Sequence, residues 1–117
     1  IRVVNGSILD VFLDLRLNSK TFGKVDSIEL TSENRISLLL PKGIAHGFCT
    51  LTDNCDVIYK VDNCYSPENE AGITWNDPEI NIVWPTENPI ISKRDSSLMS
   101  FFDFKKKYKG IIPGSKL

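Results

Sequence analysis

The 117-residue chain reads as an all-β fold, an antiparallel sandwich or barrel with a short C-terminal helix. Three observations predict it. Short apolar runs recur through the first half, each bounded by Gly, Pro, Asn, Asp or Ser, the punctuation of strands and turns. The clearest run alternates with period two, the repeat of a strand with one face buried. Helical periodicity is almost absent before Phe101. A chain with 41% hydrophobic and 25% charged residues has the composition of an ordinary globular protein, and its length suits one domain with its own core.

Ile1-Arg2-Val3-Val4 begins directly in strand-like sequence, as if continuing something longer, so a preceding segment is expected. Asn5-Gly6 is a strong hairpin dipeptide, which makes residues 1–4 the expected partner of the next strand. In residues 7–16, Leu9, Val11, Leu13 and Leu15 fall on one face, and Ile8, Asp10, Phe12, Asp14 and Arg16 on the other. The leucine face is the one expected to be buried. Asn18-Ser-Lys20 is a loop, Lys24 to Leu30 a further strand and Ser32-Glu-Asn34 a turn. Ser37–Leu40 and Ile44–Leu51 read as two strands joined at Pro41 and Gly43, residues that preset turn dihedrals. After the turn at Thr52-Asp-Asn54, residues 56–61 form the next strand.

Beyond Asp62 the texture changes. Ser66-Pro67, Asn76-Asp-Pro78, Trp84-Pro85 and Asn88-Pro89 indicate extended loop with short strands. Phe101 to Lys109 reads as a terminal helix with a solvated Lys105–Lys107 face, ended by a tail at Gly110, Pro113 and Gly114. An antiparallel double-sheet jelly roll or cupin-like barrel arranges strands in this way and leaves a cavity between its sheets.

A net charge of −1 gives no broad positive field for nucleic acid or anionic membrane, and no apolar run approaches a membrane span. The three cysteines, Cys49, Cys55 and Cys64, are odd in number and lack C-x-x-C spacing. This argues against a disulfide framework or zinc site and fits a reducing cytosol. A single histidine, His46, rules out the two- and three-histidine shells of most catalytic metal sites.

His46 shares a strand face with Ile44 and Phe48. On spacing alone it reads as a packed core histidine or as one imidazole aimed into a pocket. Tyr59 shares a face with Val57 and Val61 and is expected to point inward; a buried phenol needs a hydrogen-bond partner. Beside His46 it becomes a possible proton donor next to a polarising imidazole. Asp95, in Ser92-Lys-Arg-Asp95, is a helix cap or surface aspartate by local sequence, and a carboxylate able to orient a histidine.

One family shares these motifs in this order. Between residues 2 and 95 the chain contains Gly6-Ser-Ile-Leu-Asp-Val-Phe-Leu-Asp-Leu-Arg16, Thr21-Phe-Gly23, Ser32-Glu-Asn34, Pro41-Lys-Gly-Ile-Ala-His-Gly-Phe48, Tyr59-Lys60, Tyr65-Ser-Pro67, Gly72-Ile-Thr-Trp-Asn-Asp77, Ile82-Val-Trp-Pro85 and Ser92-Lys-Arg-Asp95. In these stretches it resembles the dTDP-4-dehydrorhamnose 3,5-epimerases, nucleotide-sugar isomerases of the cupin-like jelly-roll class. The resemblance implies that residues 1–117 are a single domain, the C-terminal portion of a cupin-like epimerase domain. It also implies removal and return of protons at C3 and/or C5 of a nucleotide-linked 4-keto-6-deoxyhexose. The reaction needs no cofactor, because the C4 keto group delocalises the carbanion as an enolate. The setting implied is cytoplasmic deoxysugar and surface-polysaccharide biosynthesis by a homodimer.

Carried over by residue, the resemblance makes Tyr59 the proton donor and His46 a substrate-contacting active-site histidine. It makes Asp95 the partner of the catalytic base, Glu70 and Arg94 binders of the nucleotide part, and Asp10 a further lining residue. Arg94 stands where lysine is common; either cation can meet a phosphate. The family's base is a histidine in a Leu-Arg-Gly-Leu-His type motif upstream of Ile1, so the chain as given lacks it. Cys64 replaces a usual aromatic, and Ile36–Leu40 replace a more polar and aromatic run. Both departures leave open the nucleotide base, the sugar and whether C3, C5 or both are inverted. The alternative is a truncated, non-catalytic sugar-nucleotide-binding or assembly module.

Overall fold

In the computed structural model, residues 1–114 are described. Five strands occur in chain order: β1 (Arg2–Asn5), β2 (Ser7–Asp14), β3 (Val25–Thr31), β4 (Ile44–Thr50) and β5 (Asp56–Ile58). Two 3-10 turns follow, Pro67–Asn69 and Asp95–Ser97, and then helix α1 (Phe101–Tyr108). The strands form two antiparallel sheets, β1-β5 and β3-β2-β4. The expected all-β, antiparallel, double-sheet architecture with a short C-terminal helix is therefore present.

β2 is the centre of the larger sheet. Its register sets Phe12 opposite His46 and Asp10 opposite Phe48 on β4, and Asp10 opposite Ile28 on β3. Both faces of β2 are buried, not only the leucine face. Leu13 and Leu15 pack against Phe101 and Phe104 of α1, with Val25, Ala45 and Ile73 around them. On the opposite face Ile8 and Leu30 pack against Val3 of β1, with Cys55 and Val57 beside them. We call this second side the inner face. A central strand covered on both sides buries even its polar positions, so Asp10 is 0% and Asp14 5% exposed.

Two expected pairings are absent. β1 does not fold back on β2; it pairs with β5. Gly6 adopts φ 76° and turns the chain from one sheet into the other, while the Ser7 amide donates to Thr52 Oγ1 at 3.1 Å. Residues 37–40 do not form a strand hairpinned to β4; they run instead beside the start of the chain. Ser37 makes only an isolated bridge with Arg2, and the Leu38 amide donates to the Ile1 carbonyl at 2.9 Å. The Pro41 turn itself is present, with Gly43 at φ 89°.

Helix α1 begins where Ser100 Oγ accepts from the Asp103 amide at 3.1 Å, a side-chain cap. It ends at Lys109 in the left-handed region, with Lys105–Lys107 in the last turn favouring the negative end of the helix dipole. Eight residues cannot hold a helix alone in water; burial of Phe101 and Phe104 on the sheet supplies the rest. The Pro-rich segment is anchored by buried Asp77, which accepts from the amides of Phe101, Glu79 and Ile80 at 2.8, 3.0 and 3.2 Å. Trp84 Nε1 also donates to the Trp75 carbonyl at 2.8 Å.

Candidate functional site

The inner face beyond β1 and β5 carries the chain's only histidine. Strand alternation brings Asp10 and Phe12 of β2 to that face, together with His46 and Phe48 of β4. His46 Nδ1 lies 3.7 Å from Asp10 Oδ2. The imidazole is 38% exposed, so it is not a sealed core residue. Asp10 is its opposite: fully buried, with neither carboxylate oxygen accepting a hydrogen bond. A buried carboxylate without donors is costly, and among the described residues only the His46 imidazole forms an ion-pair contact with it. At 3.7 Å the contact is longer than a hydrogen bond. With Nδ1 turned to Asp10, Nε2 is directed away from the carboxylate.

Glu70, Arg94 and Asp95 form a second group. Arg94 Nη2 and Nε lie 2.9 and 3.0 Å from Asp95 Oδ1, and Arg94 also pairs with Glu70. The two carboxylates, Asp95 foremost, raise the Arg94 guanidinium above its ordinary value. The pairing ties the Pro67–Asn69 turn to the Asp95–Ser97 turn. The Asp95 amide donates to Ser92 Oγ at 3.0 Å. Asp95 thus contacts its own turn and Arg94, and Asp10 is the carboxylate beside His46.

Tyr59 departs from expectation. β5 ends at Ile58, one residue earlier than an inward-facing phenol requires, and Tyr59 is 66% exposed. Its hydroxyl makes no hydrogen bond among the described residues. One contact that sequence reasoning missed ties its segment to the histidine strand: Lys42 Nζ, in the turn before β4, lies 3.0 Å from Asp62 Oδ2. Lys42, foremost through its hydrogen bond, holds the Asp62 carboxyl below the usual range. Opposite charges twenty residues apart, on segments of no regular structure, leave no periodic signal to find.

An open groove of about 390 Å³ lies across the outer face of the sheet, lined by Val11, Val25, Asp26, Ser27 and residues 80–83. A cavity of about 50 Å³ lies beside Leu15, Ala45, Ile73, Met99 and Phe104. Neither is lined by His46, Asp10 or Tyr59. No cluster of three metal-ligating side chains occurs among the described residues, and none of their helices is long and apolar enough to cross a membrane.

A family model described as dTDP-4-dehydrorhamnose 3,5-epimerase matches residues 1–103. The chain is 45% identical over 103 residues to dTDP-4-dehydrorhamnose 3,5-epimerase of Shigella flexneri, covering 88% of this chain and 57% of that protein. Its fold is similar to the crystal structure of dTDP-4-dehydrorhamnose 3,5-epimerase from Bacillus anthracis with TDP and PPi bound. That match has a TM-score of 0.83 and 45% identity, over 85% of this chain and 57% of the other. It is also similar to NovW, a 4-keto-6-deoxy sugar epimerase from the novobiocin biosynthetic gene cluster of Streptomyces spheroides. Here the TM-score is 0.84 and the identity 29%, over 99% of this chain and 58% of the other. The chain spans a little over half the length of these relatives.

Proposed function

The chain belongs to the dTDP-4-dehydrorhamnose 3,5-epimerase family, and from that premise we propose that its inner face serves the epimerisation of a nucleotide-linked 4-keto-6-deoxyhexose at C3 and/or C5. Residues 1–117 are, on this reading, one domain, the C-terminal portion of a cupin-like epimerase domain. The protein works as a cytoplasmic homodimer in deoxysugar and surface-polysaccharide biosynthesis. The observation that carries the proposal is the His46–Asp10 pair. A half-open imidazole, backed by a buried carboxylate with no other partner, is a group held ready for a ligand.

The chemistry asks for little more than placed charge. A proton next to the C4 ketone is acidic because the electron pair left behind spreads onto the ketone oxygen. An imidazole with Asp10 behind it binds at the reacting ring and stabilises the charge that develops there. Tyr59 returns a proton to the opposite ring face, which inverts the centre. Arg94 meets the diphosphate, trading its contacts with Glu70 and Asp95 for phosphate oxygens. Asp95 pairs with the group that removes the proton.

The test follows dTDP-4-keto-6-deoxyglucose in deuterium oxide by proton NMR. The full-length protein, carrying the family's base histidine, is expected to exchange the C3 or C5 proton for deuterium and to invert that centre. Tyr59→Phe is expected to reduce deuterium incorporation or inversion at C5, and His46→Gln to lower turnover by about a hundredfold. Full turnover in both variants sinks the residue assignments. Binding without exchange instead supports a non-catalytic nucleotide-sugar module, a reading favoured by the exposed Tyr59.

A further inference from the structure

Two aspartates share the inner face of β2 and have opposite surroundings. Asp10 accepts no hydrogen bond. Asp14, four residues on, is saturated. Its Oδ1 accepts from the Arg16 amide and from Arg16 Nε, both at 2.9 Å. Its Oδ2 accepts from Arg16 Nη2 at 2.7 Å and from the hydroxyls of Ser19 and Thr21 at 2.6 Å each. Arg16, foremost, and then the two hydroxyls hold the Asp14 carboxyl well below the usual carboxylate range despite its burial.

This fork fixes the Arg16 side chain, and the stem of Arg16 lies where a side chain on Gly43 would stand. A Cβ at Gly43 would be 2.5 Å from Arg16 Cγ. The Gly43 carbonyl accepts from the Leu15 amide at 2.9 Å, and the Ile44 amide donates to the Pro41 carbonyl at 3.2 Å. β4 starts at Ile44, paired with Asp14, and His46 is two residues further along. The grip therefore sits at the point where the chain enters the histidine strand.

We propose that Arg16, locked by Asp14, Ser19 and Thr21, is a positioning residue for His46. It seats the Pro41–Gly43 turn and so sets where β4 presents its imidazole. It also cancels the Asp14 charge, which leaves Asp10 as the uncompensated carboxylate on the His46 face. The functional weight of this role rests on His46 acting in the reaction proposed above; the geometric role does not.

The chain's single histidine is its own probe. The imidazole carbon-bound protons of His46 give one set of signals in a carbon–proton correlation spectrum. Arg16→Met keeps an aliphatic stem against Gly43 and removes the fork; Arg16→Lys keeps the charge with one donor group. Arg16→Met is expected to displace or split the His46 signals. In the full-length protein it is also expected to lower kcat by about tenfold or more with KM changed by less than about twofold, as misplacement of a catalytic group does. Arg16→Lys is expected to move both readouts in the same direction by less. A folded Arg16→Met protein with His46 signals superimposable on the wild type overturns the proposal, even if its melting temperature falls. If Arg16→Met does not fold, unchanged signals in Arg16→Lys overturn it alone. Should His46→Gln leave turnover intact, the functional reading fails while the spectra still decide whether Arg16 positions the ring.

Discussion

Asp10 and Asp14 show how little residue type says about energetics. Both are buried on one face of one strand, yet only Asp14 has donors. Replacing Asp10 by Asn removes a buried carboxylate that accepts no hydrogen bond. The variant is expected to melt at an equal or higher temperature than wild type while turnover falls, a split visible by calorimetry and assay on one sample. Asp14→Asn is expected to do the reverse to stability, costing on the order of 1–2 kcal/mol, because it weakens a half-buried, charge-assisted pair whose arginine is partly screened by solvent. The pH dependence has a definite sign. The carboxyl of Asp14 is depressed in the folded state, so its contribution is complete above the ordinary aspartate range. It is lost as the pH falls below that range toward the folded-state value. Denaturant titrations between pH 6 and about 3 should show this loss in wild type and a flatter profile in Asp14→Asn. Family resemblance grouped His46 and Asp10 in one candidate site. It did not reveal that they touch, because that depends on a register between β2 and β4 set thirty-six positions apart.

At the scale of elements, the long alternating strand, the strand at 25–31, β4 and α1 were readable to within a few residues. Their periodicity or capping is local. The failures were all about partners. Asn5-Gly6 has the composition of a hairpin turn, and a turn is what Gly6 makes, but the chain leaves it in another sheet. A side chain at Gly6 would meet the Asn54 carbonyl oxygen at 2.2 Å and Cys55 Sγ at 2.9 Å. Gly6→Ala is therefore expected to destabilise by more than about 2 kcal/mol in urea titrations, since positive φ and a backbone clash act together. A simple two-residue hairpin turn would have tolerated the change for less. Residues 37–40 failed for a related reason: three leucines predict burial but not a hydrogen-bonding neighbour, and Leu39 is 90% exposed. Tyr59 failed because a strand pattern does not announce where pairing stops.

The molecule as a whole leaves apolar side chains in the open near the candidate site. Phe48 is 44%, Ile58 52% and Val61 69% exposed, and β4 is an edge of its sheet. Such surfaces favour association. Light scattering across a concentration series is expected to give twice the chain mass; a mass of one chain at every concentration would exclude the homodimer. Family resemblance made this expectation available, while composition, close to average in charge and hydrophobicity, was silent on it. The same is true of the groove across the outer face, whose walls come from β2, β3 and a loop more than fifty residues later in the chain.

The bond from the Trp84 indole to the Trp75 carbonyl has a practical corollary. Both of the chain's tryptophans lie in the irregular stretch between Gly72 and Pro85, and none lies in a strand. Intrinsic emission is consequently a local spectator of that stretch, blind to the strands that hold the imidazole. If the loop detaches ahead of the strands, fluorescence and far-ultraviolet dichroism will trace different curves, and the earlier one will report a peeled covering over intact β-structure.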